Sequence, residues 1–453
     1  MTQKSINPYN GELLKEYPTH STEDVNKIIT GCHQNFLEWR KWSFAQRAEK
    51  MKAAASILKS KKEELSKLIS LEMGKPLSQS ESEIDKCAMV CEYYAEKAAV
   101  FLANESLEAP KGYSYITYNP LGVVLAIMPW NFPFWQVFRF AAPGIMAGNT
   151  AILKHASNVP GCAMAIESIF HDAGFPDFTF KSLLISSKEV NSIIENDKVM
   201  AVTLTGSEKA GSKVAEAAGK NIKKSVLELG GSDPFIVLKD ADLEQAIATA
   251  VKGRMINNGE SCIAAKRFIV AEEIFDEFLM LFKEKFCSLK YGDPLHPDTD
   301  YGPLARPDLA EELFEQVSKS VNMGAKVAMG GDRPEKGSSR FDPTIILNAK
   351  KGMPAYDEEL FGPVAVLFKF SSEEEAIQIA NDTKFGLGAA VWTKNIDKAK
   401  AMAQKIESGT VVINKMMASH PANPFGGIKM SGYGRELAHL GIREFVNIKT
   451  VWM

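Results

Sequence analysis

An excess of positive charge, a pattern of paired cysteines and a long unbroken apolar run are all missing from this chain of 453 residues. With 53 basic and 56 acidic residues, the net charge is −3. Nucleic acid and anionic membrane are therefore excluded as main partners, because both require a basic surface. The six cysteines (Cys32, Cys87, Cys91, Cys162, Cys262 and Cys287) are spaced neither as a disulfide framework nor as a zinc site. No metal is expected, and a reduced, cytoplasmic compartment fits such sparse thiols. The opening stretch MTQKSINPYNGELLKEYP lacks the apolar core of a secretory signal. Pro120 to Leu153 is long enough to cross a bilayer, but Pro129, Asn131, Pro133, Arg139 and Pro143 interrupt it. It reads instead as a buried strand, a polar-tipped loop and a helix, so no membrane span is expected.

What remains is an ordinary globular composition, 45% hydrophobic and 24% charged. The length calls for two or more domains. Residues 21 to 106 read as helices, the first opening on a Ser/Thr-x-x-Asp/Glu start signal. Cys87 and Cys91 lie four apart on one of them, as packing residues do. From about residue 111, β-rich runs (VVLAIMP, TAILKH, MAVTLTG, PFIVL) alternate with helical ones, which predicts parallel α/β layers with both faces covered. A second α/β block follows Cys262, with a boundary near Gly230 to Asp233.

Several short stretches carry chemistry, each with an ordinary alternative. In NNGESCIAAKRFIV, Cys262 sits on a polar loop entering a strand, unlike a cysteine packed in an apolar stripe; an inert loop thiol is the plain reading. Gly206 and Ser207 end a strand and begin a helix, where free N–H groups can receive a phosphate, or simply make a turn. Glu228 stands in the apolar run SVLELGG, either as a buried carboxyl raised toward general-base duty or as a half-buried edge acid. Asn131, wedged in PWNFPFW, can donate to an oxyanion or satisfy loop backbone. Lys154 ends an apolar strand, where it can meet ribose or phosphate oxygens or solvent.

Taken in order, PWNFP, TGS…G, LELGG, NNGESC, EELFGPV and PFGGIKMSGYGRE resemble the aldehyde dehydrogenase superfamily over essentially the whole chain. The resemblance implies an aldehyde dehydrogenase-like α/β fold with three parts. Residues 1–110 and 123–230 would form a Rossmann-type cofactor domain, 231–430 an α/β catalytic domain, and 111–122 with 441–453 a β-arm for oligomerisation as homodimer or homotetramer. It further implies Cys262 as nucleophile, Glu228 as general base, Asn131 as oxyanion donor and Glu436 as a proton relay. Gly206 and Ser207 would hold the cofactor pyrophosphate, Lys154 the adenosine ribose, and Trp130, Leu229, Glu359 and Phe361 the nicotinamide half. A covalent route follows: a thiohemiacetal, hydride transfer to NADP or NAD, then hydrolysis of a thioester.

Within the superfamily, ILKHA, VLELGGSDPFIVLKDADLE, CIAAKRFIV and GRELAHLGIREFVNIKTVW are similar to short bacterial enzymes acting on succinate semialdehyde. The similarity implies Arg139 for the substrate carboxylate, with Ser419 adding a hydroxyl. Arg139 could equally pair with a structural acid, and an arginine that some relatives carry is replaced here by Ile256. Another ω-semialdehyde, a broad aldehyde range, or non-redox acyl transfer and thioester hydrolysis stand as alternatives. Two departures matter. Glu260, where many relatives have Gln, raises the Cys262 pKa if it points inward and does little if it points to solvent. Ser157 stands where NAD-specific relatives often place Glu, so a 2′-phosphate is not repelled and NADP is expected to be accepted, with help from Lys154 and a protonated His155.

Overall fold

An apolar run such as VVLAIM can bury both of its faces only inside a covered parallel sheet. The strand Val123–Met128 does so at the centre of a six-stranded sheet. The computed structural model describes residues 2–108 and 112–453. Residue 111 of the expected arm, and residues 1, 109 and 110 of the expected cofactor domain, lie outside the described residues.

In the six-stranded sheet, Val123–Met128 has Thr150–His155 on one side and Val199–Thr205 on the other, both parallel to it. Phe180–Ser182 extends the first side, and Lys224–Glu228 with the short Gly432–Tyr433 extends the second. The direction of winding thus reverses between Val123–Met128 and Val199–Thr205. Ligands of open α/β sheets bind at such a switch, outside the carboxyl ends of the strands. Those ends lead directly into Pro129–Asn131 and into Gly206–Ser207. Local residue type has already pointed to both places.

The chain leaves this sheet after Glu228 and enters a seven-stranded one at Asp233, with Gly230 and Gly231 between. Its order is Lys326–Met329, Thr344–Leu347, Val364–Phe370, Ala265–Ala271, Asp233–Val237, Gly388–Trp392, Thr410–Ile413, parallel except for the first, an edge strand. Helix Phe275–Cys287 packs on this sheet through Phe278, Phe282 and Phe286, spaced four apart and stacked with ring centroids 5.6 and 4.9 Å apart. Each such buried ring is worth about 2–3 kcal/mol. The strand Ala265–Ala271, which follows Cys262 directly, is buried along its whole length and sits centrally in the sheet. It is a rigid base for the loop before it.

Helices cover the amino-terminal part. Ser21 caps Thr22–Trp39 in a reciprocal box with Asp24, and Gly74, at φ 81°, ends Lys62–Met73. Cys87 and Cys91 are buried on the long helix Leu77–Phe101. Residues 120–153 form strand, loop, helix Trp135–Met146 and strand. Among the described residues, no helix is long and apolar enough to cross a membrane.

A third sheet holds Val446–Trp452 antiparallel to Ser114–Pro120, with Glu105–Leu107 on the other side of the latter. The expected arm segment 441–453 begins within a short helix, Ala438–Arg443, before its strand. Its Ala438, Gly441 and Ile442, at spacings i, i+3 and i+4, bury one face. The sequence reading also lacked an amino-terminal hairpin, Thr2–Ile6 with Leu13–Pro18. Its signal was the pair Asn10-Gly11, with Gly11 at φ 75°.

Candidate active site

Three successive residues ahead of Cys262 take left-handed backbone: Asn257 at φ 53°, Asn258 at φ 56° and Gly259 at φ 82°. Asparagine and glycine are the residues that adopt this conformation most readily. A side chain at position 259 would strike the backbone of Gly362. The asparagine side chains then anchor the turn. Nδ2 of Asn257 donates to the carbonyl oxygens of Asn131 at 2.7 Å and Glu260 at 3.0 Å, while Nδ2 of Asn258 donates to those of Gly74 and Pro303, both at 2.9 Å. From the strand side, Nζ of Lys266 donates to the carbonyl oxygens of Ser261, Cys262 and Ala264 at 2.9, 3.0 and 3.3 Å. Cys262 is thereby held from both directions, with its own side chain half-buried.

Two cavities meet there. Cys262 and Gln136 line both, the first of 640 Å³ and the second of 510 Å³. The first lies at the switch point and gathers Trp130, Asn131, Gly206, Ser207, Leu229, Glu359 and Phe361. Trp130 meets Phe361 edge-on, with ring centroids 5.8 Å apart. Ser207 caps helix Glu208–Lys220 by accepting from the Ala210 N–H, so the positive end of that helix faces the cavity. Glu359 accepts from the Gly231 N–H at 3.1 Å and pairs with Lys266 at 3.2 Å. Asn131 is buried; its Nδ2 donates to the Glu260 carbonyl at 3.0 Å, which uses one of two amide hydrogens, and its Oδ1 has no partner.

Four expected residues do not line either cavity. Lys154 ends its strand almost buried, and Ser157 is exposed three residues on. Glu228 and Glu436 are buried behind the wall. Leu229 and Gly230, next to Glu228, form part of that wall, and neither carboxyl oxygen of Glu228 has a hydrogen-bond partner. Burial, followed by the charge of Glu436, pushes the Glu228 carboxyl well above the ordinary carboxylate range. Burial also lifts the Cys262 thiol to about 12, against the opposing pull of Arg139. The resting thiol is thus protonated at neutral pH.

The structure decides the orientation of Glu260 and corrects the expectation for His155. Glu260 points inward and is fully buried, its Oε1 accepting from the Ala305 N–H at 3.1 Å. Burial raises its carboxyl well above the usual range, against the Ala305 hydrogen bond and Arg306, and so favours its uncharged form. His155 cannot supply a positive charge. Its Nε2 lies 2.8 Å from the Pro133 carbonyl, its Nδ1 accepts from the Ala156 N–H, and burial lowers its pKa to about 4.

The second cavity contains Arg139 and Ser419 beside Cys262. Arg139 is not free: its Nε forms an ion pair with Glu436 and its Nη2 donates to Thr205 at 3.2 Å. Ser419 accepts from Nζ of Lys86 at 2.7 Å. Lys86, Gln136 and Lys266 were all missed in the sequence. Lys86 lies on a helix far from every motif, Gln136 reads as one more residue of an apolar helix, and Lys266 as a strand residue. Among the described residues, no group of histidine, cysteine and acidic side chains could hold a metal ion.

A model of the aldehyde dehydrogenase family matches residues 1–451. The probable succinate-semialdehyde dehydrogenase, NADP(+), of Synechocystis sp. is 49% identical over 453 residues, covering 100% of each chain. Succinate-semialdehyde dehydrogenase, NADP(+), 1 of Mycobacterium tuberculosis is 48% identical over 452 residues, covering 99% of each. A crystal structure of succinic semialdehyde dehydrogenase from Streptococcus pyogenes with NADP+ superposes with a TM-score of 0.97 at 38% identity, covering 100% of this chain and 99% of that one.

Proposed function

The chain belongs to the aldehyde dehydrogenase family, and from that premise we propose that it oxidises succinate semialdehyde to succinate, with NADP or NAD as hydride acceptor. The observation that carries the reading is the position of Cys262 in the walls of two cavities at once. A thiol that must meet an aldehyde on one side and a dinucleotide on the other needs that placement.

The first cavity fits the cofactor. It offers a helix amino-terminus at Gly206 and Ser207 for a pyrophosphate, an aromatic pair in Trp130 and Phe361, and Glu359 and Leu229 for the nicotinamide half. Lys154 and Ser157, at the end of the neighbouring strand, are left for the adenosine ribose, and no acid stands at position 157 to repel a 2′-phosphate. When bound, the cofactor supplies the acceptor for the hydride.

Cys262 attacks the aldehyde carbon and forms a thiohemiacetal; oxidation leaves a thioester on the same sulfur. Asn131 keeps one amide hydrogen for the oxygen on which negative charge develops, and the loop that fixes Asn131 also fixes Cys262, so the donor does not have to reorganise. Glu228, just behind the cavity wall, takes a proton from the water that releases the acid, and Glu436 passes it outward. Arg139 gives the substrate cavity positive charge, shared with Glu436, and Ser419 adds a hydroxyl.

Residues 1–110 and 123–230 are assigned to the cofactor domain and 231–430 to the catalytic domain. Segments 111–122 and 441–453 are assigned to an arm that joins a homodimer or homotetramer in the cytoplasm. A panel of aldehydes assayed with both cofactors tests the reading. Fastest reduction with succinate semialdehyde supports it. Thioester hydrolysis without cofactor reduction would replace it with non-redox acyl chemistry.

A further inference from the structure

The substrate cavity contains a cation that its own fold leaves without an acid. Lys86, on the fourth long helix Leu77–Phe101, lines the same 510 Å³ cavity as Cys262. Its Nζ rests 4.2 Å from the centroid of the Trp135 ring and donates to Ser419 Oγ at 2.7 Å, and no described acid forms an ion pair with it. The acids that share its surroundings have other partners. Glu83 accepts the N–H groups of Phe134 and Trp135 with Oε1 and pairs with Lys75 through Oε2; Asp300 accepts the Lys290 N–H. Arg139, one helical turn beyond Trp135, is committed to Glu436 and Thr205.

We propose that Lys86 joins Ser419 in receiving the distal carboxylate of the substrate beside Arg139, Nζ through its remaining hydrogens and the serine hydroxyl by donation. Resting on the substrate reading above, this names the group that selects an aldehyde bearing a carboxylate. A charge-assisted pair of this kind is stronger than a neutral one and rejects a ligand that lacks the charge. Burial, then the positive charge of Arg139, lowers the Lys86 pKa to about 8, with Glu83 and Cys87 opposing and Lys75 adding to the shift. Lys252 and Asp300 line the same cavity. A carboxylate would therefore be gripped at neutral pH and released as the medium becomes alkaline.

The test is the ratio of kcat/KM for succinate semialdehyde to kcat/KM for butanal, measured with NADP against pH. In the wild type the ratio is expected to be large at pH 7 and to fall through pH 8, since kcat/KM reports the free enzyme and the ionisation of Cys262 acts on both substrates. Lys86→Gln should lower the ratio at least tenfold at pH 7 and flatten its pH dependence, and Lys86→Arg should keep much of it. A large wild-type ratio that Lys86→Gln and Lys86→Arg both leave intact overturns the role of Lys86 and leaves the substrate reading standing. A wild type with no preference for the carboxylate overturns the substrate reading and the clamp with it.

Discussion

Lys266 donates from its Nζ to the carbonyl oxygen of Cys262 at 3.0 Å, reaching back from the strand to the loop that precedes it. The same ammonium also bonds to the carbonyls of Ser261 and Ala264 and pairs with Glu359, a wall residue of the first cavity. One buried cation therefore ties the candidate nucleophile to the candidate cofactor site.

Lys266→Met removes this tie and leaves Glu359 without its partner. A broken buried pair costs about 3 kcal/mol or more, so the variant should melt well below the wild type. Its NADP affinity, followed by fluorescence, should fall as well. Unchanged melting and unchanged affinity together would show that the loop is held by its asparagines alone.

The Cys262 thiol, pushed up to about 12 by burial, sets the pH dependence of alkylation. A raised pKa means less thiolate at any given pH below it, so reactivity is low at neutrality. In the free protein, the rate of modification of Cys262 by iodoacetamide should rise about tenfold per pH unit from pH 7 and continue to rise past pH 9. A plateau below pH 9 would contradict the environment described for the sulfur.

Cys262→Ala should abolish aldehyde oxidation while cofactor binding, measured by fluorescence titration, stays close to that of the wild type. The thiol forms the covalent bond, and the first cavity has many other walls. Retained turnover in the variant would remove Cys262 from the chemistry.

The proposed place of Ser157 beside the adenosine ribose predicts that charge at this position shifts the choice of dinucleotide. Ser157→Glu should weaken NADP relative to NAD by at least about tenfold, equivalent to ~1.4 kcal/mol, because a carboxylate would face the 2′-phosphate. The ratio of the two kcat/KM values checks it; an unchanged ratio would place the discriminating contact elsewhere.

Local residue type made much of this molecule legible. VVLAIM and TAIL have no polar alternation, and they form central strands of the six-stranded sheet. The polar loop ahead of Cys262 was legible, and its Asn257, Asn258 and Gly259, residue types suited to left-handed backbone, take that conformation at all three positions. What could not be read depends on neighbours distant in sequence. Burial by distant segments raises the Glu260 carboxyl and lowers the His155 imidazole, so neither charge could be read from neighbours in sequence. Lys86 sits 176 positions before Cys262, a separation at which periodicity says nothing about which face meets which cavity. Arg139 shares a cavity with Cys262, but the acid paired with it, Glu436, is about 300 residues away, a separation that a compact domain closes and local residue type does not show.

The central claim is a covalent intermediate on Cys262 that outlives hydride transfer and is released with the help of Glu228. Glu228→Gln should slow its hydrolysis without removing the nucleophile. The direct measurement mixes this variant with succinate semialdehyde and NADP, quenches it in acid within the first turnover, and maps the modified peptide by mass spectrometry. The account predicts a burst of about one reduced cofactor per chain, as an accumulating acyl-enzyme requires, and a succinyl thioester on the peptide that carries Cys262. A burst with no adduct, or an adduct on another cysteine, would contradict it.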